Sequence, residues 1–519
     1  MPHATPLQPH YAARNLHTLC QAVPLWPYGA LGLPNILRLV SMALQHPHTA
    51  PAGRELALFA WAQQPLNTKL LHIVKQLHIH HADPLLATAA PMVDYLQHLA
   101  RHKAPTQEST EAQGPQAALW QARLSVQALV DNSPSAPETL EALKLLHCRL
   151  SMTKPGQPPH PWAMWTGTAL AHCHLVHGNM PQARDALWSI WHLCPSHPNM
   201  ILALHDLVFP LPNIPSTPKG LPPALLLYSW NKVDVLAQTL QSLRASDMGG
   251  APVFVLNNGS TDGTAELLHS LSTTWGDTLH CVDVPVNIGA PAARNWLLSL
   301  PEVRQHDNIV FLDDDLLLDH HWLHHLQTVA AAHPKADTIG CRITGHEAPY
   351  TVQGADFFLL PPEQGDKSFV DIDENLHLHC ASMGTVDTVL SRYTRPCLSV
   401  SGCCHWIRMS SIAAYGDFDV RFSPSQFDDA ERDMRSVLHG GTVLYCGQIS
   451  IRHVQHSSLK QAHNRAKAAH IFGNKLKLEF LYEAKKVTQL RTTTQAQACH
   501  DLIRKATRLA SASPEERPS

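Results

Sequence analysis

The sequence predicts an α/β protein whose mostly parallel sheet is flanked by helices, with an all-helical domain before it and a helical tail after it. Three observations support this. The first part of the chain shows helical periodicity, a proline-rich stretch follows, and short apolar segments then alternate with helical ones. The 519 residues exceed the length of one ordinary domain, and a 44% hydrophobic content excludes a disordered chain.

Residues 1–208 are predicted to form the helical domain. Helical segments cover 35–44, 55–63, 69–77 and 138–146, separated by Pro, Asn and Ser turns. The spacing of Leu170, Gly178, Ala183, Leu187 and Ile190 resembles one tetratricopeptide repeat, and an ordinary helical hairpin would explain it equally well. In either case these helices predict a scaffold or a surface for a protein partner.

Residues 209–223 are predicted to be a linker, because they contain six prolines and can form neither a helix nor a central strand. The sheet domain then covers 224–458, with strands at 224–228, 253–256, 308–312 and 449–453. Helices are expected at 235–243 and 265–271. Because ligands of such sheets bind at the carboxyl ends of strands, the polar motifs that follow the strands are the candidate site.

The charge is distributed unevenly along the chain. The net charge is +3 over residues 1–219, −13 over 220–459 and +7 over 460–519, which gives −3 in total. The total argues against a chain that coats nucleic acid, so no nucleic-acid partner is expected. The acidic middle zone suits a site that holds a cation.

The sequence also bears on location. It has no apolar run of 18 residues and no secretory signal within its first ten residues. The 12 cysteines form no zinc-binding pattern, and the densest group, Cys403-Cys404-His405, is expected to hold free or buried thiols. A cytoplasmic location is therefore predicted.

An acidic triplet, Asp313-Asp314-Asp315, directly follows the predicted strand at 308–312. Alternate residues at a strand end point the same way, so Asp313 and Asp315 could share one cation such as Mg²⁺ or Mn²⁺. A solvated acidic turn is the alternative.

Two further motifs follow other strands. Gly259 and Gly263 allow tight turns in the segment 257–264, where Thr261 or Asp262 could cap a helix, although a plain capped loop would look the same. Arg294 lies near the start of a helix and could neutralise a diphosphate, unless it is a surface arginine.

The last candidates lie near the end of the sheet domain. Asp428 and Asp429 open a helix, where a carboxylate could act as a general base; acids that merely favour a helix N-terminus are the alternative. His453 ends a predicted strand, and a lone histidine there is more often structural.

Together and in this order, the motifs resemble the family 2 glycosyltransferases of the GT-A fold, over about residues 221–458. The segment 257–264 is similar to that family's nucleotide-binding loop, and 287–295 to its NxGxxxARN segment. Asp313-Asp314-Asp315 stands at its metal-binding DxD motif. Asp428-Asp429-Ala430-Glu431 with Arg435 resembles its EDxDxxxR pattern, and His453 resembles its late histidine.

The resemblance implies an inverting transfer of a sugar from a nucleotide-diphosphate donor to an acceptor hydroxyl. It implies Asp429 as the catalytic base and a divalent cation, Mn²⁺ or Mg²⁺, held by Asp313, Asp315 and His453. The residues implied in donor binding are Ser229, Asn231, Asn257, Asn258, Gly259, Asp262, Arg294 and Asp314. The expected acceptor is a glycan, a lipid-linked molecule or a protein, in surface polysaccharide, glycolipid or protein glycan synthesis.

The sequence departs from the family at two places in the nucleotide pocket. Asn257 stands where the family usually has an aspartate that reads the base, and Tyr228-Ser229-Trp230-Asn231 replaces Pro-Thr-Tyr-Asn. A UDP-sugar remains the expected donor. Residues 345–397 match nothing in the family, and a loop facing the acceptor is expected there. The alternative function is a helical-repeat interaction protein with an inactive GT-A domain, which the intact Asp313, Asp315, Asp429 and His453 argue against.

The tail, 459–519, is basic and is predicted to be helical. A helix over 461–490 is expected to break near Thr492-Thr493-Thr494 and to be followed by a second helix up to Leu509. Its lysines alternate with apolar residues, which fits packing on the sheet domain. The same pattern also fits peripheral contact with an anionic membrane at its inner face.

Overall fold

The computed structural model describes residues 9–101, 114–152, 157–211, 220–361, 376–454 and 465–513. The chain divides into two compact units, one of Met1–Pro210, Asp387–Ser391 and Cys499–Ser519, and one of Leu211–Val386 and Arg392–Ala498. Most of the predicted linker lies outside the described residues, as do the acidic residues Asp371, Asp373 and Glu374 of the segment 345–397 that matches nothing in the family.

The first unit is helical, as the sequence predicts, and each of the four helical segments named above lies within an observed helix. Its helices are α1 (Pro9–Ala22), α2 (Leu33–Leu44), α3 (Ala50–Gln63), α4 (Thr68–His80), α5 (Pro84–Arg101), α6 (Pro115–Asn132), α7 (Pro137–Ser151), α8 (Ala163–Val176), α9 (Met180–Trp191) and α10 (Pro198–Val208).

Helices α8 and α9 form the hairpin that the sequence predicts around Gly178. Ala183, Leu187 and Ile190 are buried. The crossing is close, because a Cβ atom added to Gly167 would lie 2.5 Å from Cγ2 of Ile190. The structure therefore shows a tightly packed helical hairpin, and its assignment as a tetratricopeptide repeat stays a prediction.

The second unit contains one large sheet, the helices that cover it and a separate two-stranded sheet. Its strands are β1 (Ala224–Ser229), β2 (Val253–Asn258), β3 (Leu279–Val284), β4 (Asn308–Leu312), β5 (Leu316–Leu317), β6 (Thr338–Gly345), β7 (Val352–Gly354), β8 (Phe358–Leu360), β9 (His377–His379), β10 (Thr394–Cys397), β11 (Cys404–Arg408) and β12 (Val443–His453). Its helices are α11 (Val233–Ala245), α12 (Thr264–Trp275), α13 (Ala290–Ser299), α14 (Pro301–Arg304), α15 (Trp322–Ala332), α16 (Met409–Tyr415), α17 (Asp428–Leu438) and α18 (Arg465–Leu481).

The large sheet has the order β10-β12-β6-β11-β4-β1-β2-β3; outside this order, β5 pairs with β12 and β7 pairs with β6. The pairs of β1 with β2, β1 with β4, β2 with β3 and β6 with β12 are parallel, whereas β11 runs antiparallel to both of its neighbours. The predicted mostly parallel sheet is therefore confirmed. The carboxyl ends of β1, β2, β4, β6 and β12 lie at one edge.

Both faces of the sheet are buried. Successive residues of a strand point to opposite faces, so one strand can contribute to two apolar clusters. Leu225 and Leu227 of β1 belong to one apolar cluster, together with residues of α11, α12 and α15. Ala224 and Leu226 belong to a second cluster, together with residues of α13. This explains why β1 is a continuous apolar run in the sequence.

The tail is helical as predicted, but the predicted position of its break is wrong. The last helix, α19, runs from Ala484 to Ala510, and the break comes before it, after α18. The threonines do not interrupt α19, since Thr492 and Thr494 donate their hydroxyl hydrogens to the carbonyl oxygens of Thr488 and Leu490 at 2.8 and 2.9 Å. Among the described residues, no helix is long and apolar enough to cross a membrane.

Candidate active site

The candidate site lies at the edge where the parallel strands end. Ser229, Asn257 and Asn258 are the last residues of β1 and β2, Asp313 follows β4, and His453 is the last residue of β12. The parallel register brings these ends together, as expected for ligand sites in α/β sheets.

The loops after β1 and β2 are joined by hydrogen bonds. Asn231, whose φ is +51°, accepts a hydrogen bond at Oδ1 from the backbone N–H of Thr261 at 2.7 Å. Asp262 accepts from the N–H groups of Val233 and Thr264, both at 3.0 Å, so its carboxylate links the first residue of α11 to the start of α12. Burial would raise the pKa of Asp262, but the hydrogen bonds from Thr264 and Val233 together outweigh it and lower the pKa.

Gly259 permits a close approach of two backbone segments. Its φ is +69°, and an added Cβ atom would lie 2.4 Å from the carbonyl carbon of Val286. Beside it, Asn258 donates to Asn287 Oδ1 at 3.1 Å and accepts from the N–H of Ile288 at 3.0 Å. The predicted donor loop is therefore held against the segment that leads into α13.

Asn257 is buried and its amide is already paired. Its Nδ2 donates to Oδ1 of Asp283 at 2.7 Å, and its Oδ1 accepts from the N–H of Ser260 at 3.1 Å. Asp283 is the register partner of Asn257 on β3 and is exposed. Sequence reasoning did not identify this acid.

Asp314 is the most constrained residue of the acidic triplet. It accepts hydrogen bonds from Ser229 Oγ at 2.7 Å and from Lys232 Nζ at 2.8 Å. Burial raises the pKa of Asp314, and the charge of Lys232 opposes this. Lys232 also contacts Asp315 Oδ2 at 3.0 Å, so it offsets part of the acidic charge. We did not predict Lys232, although it is the first basic residue after β1.

Asp315 and His453 face each other because β5 pairs with β12 and aligns Leu316 with His453. Asp315 Oδ1 lies 2.9 Å from His453 Nε2. On the other side of the ring, Nδ1 lies 2.7 Å from Oε1 of Gln353, an acceptor, so Nδ1 carries the hydrogen. Nε2 of His453 faces Asp315, and Gln353 holds the ring in the orientation in which a deprotonated Nε2 could bind a metal.

Asp313 completes the cluster. Ligand atoms of Asp313, Cys403 and His453 all lie within 4.8 Å of one another. Asp315 Oδ1 is buried and forms no hydrogen bond of acceptable geometry within the described part of the chain, although it lies beside His453. The 2.9 Å between Asp315 Oδ1 and His453 Nε2 is also the spacing expected for neighbouring ligands at about 2.1 Å from one ion, which would replace the proton between them. The residues present therefore fit a divalent cation.

Asp428 and Asp429 at the start of α17 have different environments. Asp428 is buried and accepts a hydrogen bond from Arg294 Nη1 at 2.7 Å, and burial raises its pKa to about 6 while Arg294 opposes the rise. Asp429 is partly exposed, and its Oδ2 accepts from the N–H of Gly402 at 2.8 Å. Asp429 is thus the accessible carboxylate of the two, whereas Asp428 is buried and paired with Arg294.

The loop before α17 is held by a residue that we did not predict. Gln426 and Phe427 have φ values of +81° and +69°, which are strained for residues with side chains. Asn474 of α18 is 1% exposed, and its Nδ2 lies 2.6, 2.7 and 3.3 Å from the carbonyl oxygens of Phe422, Ser425 and Gln426. This contact fixes the loop that precedes Asp428 and Asp429.

Comparison with known families agrees with the resemblance that the sequence suggests. Residues 226–411 match the family described as "Glycosyl transferase family 2". This match confirms the predicted family resemblance. A comparison with curated proteins finds no match.

Solved structures show distant similarity. GalNAc-T7 with UDP, GalNAc and Mn²⁺ matches at 13% identity and a TM-score of 0.37, over 46% of this chain and 45% of that one, so less than half of that protein's length is covered. The mannosyltransferase PcManGT from Pyrobaculum calidifontis, in complex with GDP-Man and Mn²⁺, matches at 14% identity and a TM-score of 0.37, over 64% and 89% of the two chains. S. aureus TarS 1-349 matches at 14% identity and a TM-score of 0.32, over 57% of this chain and 77% of that one.

Proposed function

From the premise that residues 226–411 are a family 2 glycosyltransferase region, we propose that the chain is an inverting, metal-dependent glycosyltransferase. It moves a sugar from a nucleotide-diphosphate donor to an acceptor hydroxyl. The observation that carries this proposal is one arrangement of side chains: Asp313, Asp315 and His453 converge at one strand edge, and the accessible carboxylate Asp429 abuts Gly402, the residue before Cys403.

Each residue has a distinct role in the proposed reaction. A divalent cation bound to Asp313, Asp315 and His453 would stabilise the charge that develops on the departing diphosphate. Asp429 would accept the proton of the acceptor hydroxyl as that oxygen attacks the anomeric carbon from the face opposite the diphosphate. A single displacement of this kind inverts the configuration and needs no second catalytic carboxylate.

The other site residues would hold the donor or the residues that contact it. Ser229 and Asn231 after β1, and Asn257, Asn258 and Gly259 after β2, would surround the nucleotide. Asp262 keeps the two loops together, and Asp314 anchors Lys232. Arg294 would act mainly through Asp428, because their ion pair buries the guanidinium at 4% exposure.

We propose a UDP-sugar as the donor and a glycan, a lipid-linked molecule or a protein as the acceptor. The helices of the first unit would bind a protein partner. The alternative function is that of an interaction protein with an inactive catalytic domain. Such a protein would turn over no sugar nucleotide, although its carboxylates are present.

The proposal is tested by nucleotide release from a panel of sugar nucleotides with Mn²⁺ or Mg²⁺. For Asp429→Asn we expect donor binding to persist and transfer to fall by about 10²–10⁴-fold, the range for loss of a general base. Asp315→Asn, or excess EDTA with the unaltered protein, should abolish both donor hydrolysis and transfer. Full activity in EDTA would refute the metal-dependent mechanism, and no turnover with any donor would favour the interaction protein.

We also propose a cytoplasmic location with peripheral contact to an anionic membrane. Phe480 is 78% exposed, and Lys485 and Lys486 lie exposed just after it. Each basic residue near such a surface contributes about 1 kcal/mol. We expect salt-sensitive binding to phosphatidylserine vesicles that Lys485→Glu with Lys486→Glu weakens at least tenfold, whereas the charge-neutral change Phe472→Leu should leave it unchanged. Binding that ignores both salt and charge reversal would refute the contact.

A further inference from the structure

One thiol faces the proposed cation site. Cys403 is partly exposed, and its Sγ lies within 4.8 Å of ligand atoms of both Asp313 and His453. A hydrogen bond of 3.0 Å from the N–H of Asp313 to the carbonyl oxygen of Cys403 fixes the two backbones side by side. Cys403 directly precedes β11, which pairs antiparallel with β4, the strand that the aspartates follow. The thiol therefore reaches the site from the strand next to β4.

The neighbours of Cys403 are engaged elsewhere. Cys404 is fully buried within the apolar cluster that contains Leu225. His405 is also fully buried, and its Nε2 lies 3.2 Å from Oδ1 of Asp433. Of the group Cys403-Cys404-His405, only Cys403 points to the site. The sequence alone does not show which of the two adjacent cysteines does so.

A second observation points to a ligand at the same place. Asp315 is 4% exposed, and its Oδ1 has no hydrogen-bond partner of acceptable geometry among the residues described. This oxygen lies 2.9 Å from Nε2 of His453, whose other nitrogen is held by Gln353. A buried carboxylate oxygen and an imidazole nitrogen thus converge next to a thiol.

We propose that Cys403 Sγ is a further ligand of the cation site formed by Asp313, Asp315 and His453, and that the site consequently favours thiophilic cations such as Zn²⁺, Co²⁺ and Cd²⁺. Thiolate sulfur binds these ions more strongly than it binds Mg²⁺ or Mn²⁺. On binding, the thiol releases its proton to solvent. The inference rests on the cation site of the proposed function.

A regulatory consequence follows from coordination number. Zn²⁺ in proteins is commonly satisfied by four protein ligands, and such sites leave no position for a substrate. Asp313, Cys403 and His453 supply three ligand atoms within 4.8 Å of one another, and Asp315 Oδ1, 2.9 Å from His453 Nε2, would be the fourth. Zn²⁺ would therefore exclude the donor diphosphate and inhibit the reaction that Mn²⁺ or Mg²⁺ supports.

The test uses the full chain and Co²⁺ as the probe. Thiolate bound to Co²⁺ gives a charge-transfer absorption in the near ultraviolet that oxygen and nitrogen ligands do not. We expect this band in the unaltered protein and in Cys281→Ser, a control for an exposed thiol, and its loss in Cys403→Ser with the visible Co²⁺ bands retained. We also expect Cys403→Ser to weaken Cd²⁺ binding relative to Mn²⁺ by more than about tenfold, the lower limit for losing a residue that only orients a ligand.

The outcomes separate this inference from the proposed function. An unchanged charge-transfer band in Cys403→Ser, or an unchanged ratio of Cd²⁺ to Mn²⁺ affinity, overturns the sulfur ligand even if the enzyme is active. A band that depends on Cys403 supports it even if no sugar transfer is found. Circular dichroism of Cys403→Ser should match that of Cys281→Ser, so that a lost band reports a lost ligand.

Discussion

The side chains of Asn257 and Asp283 form a hydrogen-bonded pair across β2 and β3, with 2.7 Å between Nδ2 and Oδ1. The family resemblance leads one to expect an acid at position 257. Here the acid stands at the register partner on the neighbouring strand, about 4.8 Å away in the direction of strand pairing. The amide thus holds a carboxylate at the carboxyl ends of β2 and β3 without carrying the charge itself.

Asn257→Asp should therefore destabilise the protein. The change sets two carboxylates at hydrogen-bond distance, and like charges directly opposite each other across strands cost up to about 1 kcal/mol. We expect a lower Tm, which the second change Asp283→Asn should restore by exchanging the acid and the amide. Calorimetry of the two single variants and the double variant measures this coupling.

The same three proteins test base recognition. If the pair contacts the nucleobase, the order of inhibition by UDP, GDP and ADP should change in Asn257→Asp and return towards the original order in the double variant. An additive Tm effect with an unchanged order of inhibition would contradict both the pairing and its place in the pocket.

Single residues also show what the sequence could predict. Asp313 and Asp315 are predicted because they follow the apolar strand at 308–312, and His453 because it ends the predicted strand at 449–453. Lys232, Gln353 and Asn474 are not, since their partners are distant in sequence: Gln353 bonds to His453, 100 positions away. The local sequence pattern identifies the residues at strand ends. Long-range contacts decide which other side chains orient those residues.

At the scale of elements, α18 stabilises the loop that precedes α17, the helix on which the proposed base lies. Asn474 bonds to three carbonyl oxygens of the loop, and Lys477 Nζ donates to the carbonyl oxygen of Arg421 at 2.7 Å. Tyr482 donates its hydroxyl hydrogen to Glu431 Oε1 of α17 at 3.1 Å. Helix α18 therefore belongs to the compact unit that contains the candidate site, and its removal would disturb that site as well as any membrane contact.

We predict that Asn474→Ala lowers kcat by about 10–100-fold with little change in KM for the donor. Three carbonyl groups lose their donor, so the strained backbone of Gln426 and Phe427 can relax and displace Asp429. His470→Ala on the exposed face of α18 is the matched control and should behave like the unaltered protein. General destabilisation would also lower the apparent kcat at an unchanged KM, so kcat is expressed per mole of active sites counted by donor binding. Asn474→Ala should remain slower on this basis, and a normal kcat per active site would contradict the prediction.

The elements that the sequence missed lack a simple pattern. In β3 the burial alternates irregularly and His280 and Asp283 interrupt the apolar residues, whereas β11 contains His405 and Arg408. Both strands depend on neighbours for their stability: β3 pairs along its whole length with β2, and β11 lies between β4 and β6. Pairing of this kind is a tertiary effect that propensity alone does not indicate.

At the scale of the whole molecule, alternation of strands and helices predicted the fold class correctly, but membership of the compact units required the structure. Residues Asp387–Ser391 lie within the segment that sequence analysis could not interpret, and they belong to the first unit. Asn199 donates to the carbonyl oxygen of Leu390 at 3.1 Å within that unit. A contact across 191 positions has no local signature in the sequence.

The first unit also contains a carboxyl group that links its stability to pH. Glu55 of α3 has a side-chain oxygen with no hydrogen-bond partner among the described residues. Burial, reinforced by the charge of Asp83 and opposed by Arg54, raises the pKa of Glu55 to about 8. The folded protein therefore keeps this proton between about pH 4.5 and 8, where the unfolded chain has lost it.

The sign of the effect follows from proton binding. Because the folded state binds more protons in this window, stability falls as pH rises towards 8, by about 1.4 kcal/mol for each pH unit. Glu55→Gln removes the titrating group, so we expect its Tm to exceed that of the unaltered protein by a margin that grows from pH 5 to pH 8 and then levels off. Calorimetry across this range measures the margin, with Glu141→Gln on the exposed face of α7 as the control. Parallel Tm curves for the unaltered protein and Glu55→Gln would show that the Glu55 carboxyl ionises as readily in the folded chain as in the unfolded one.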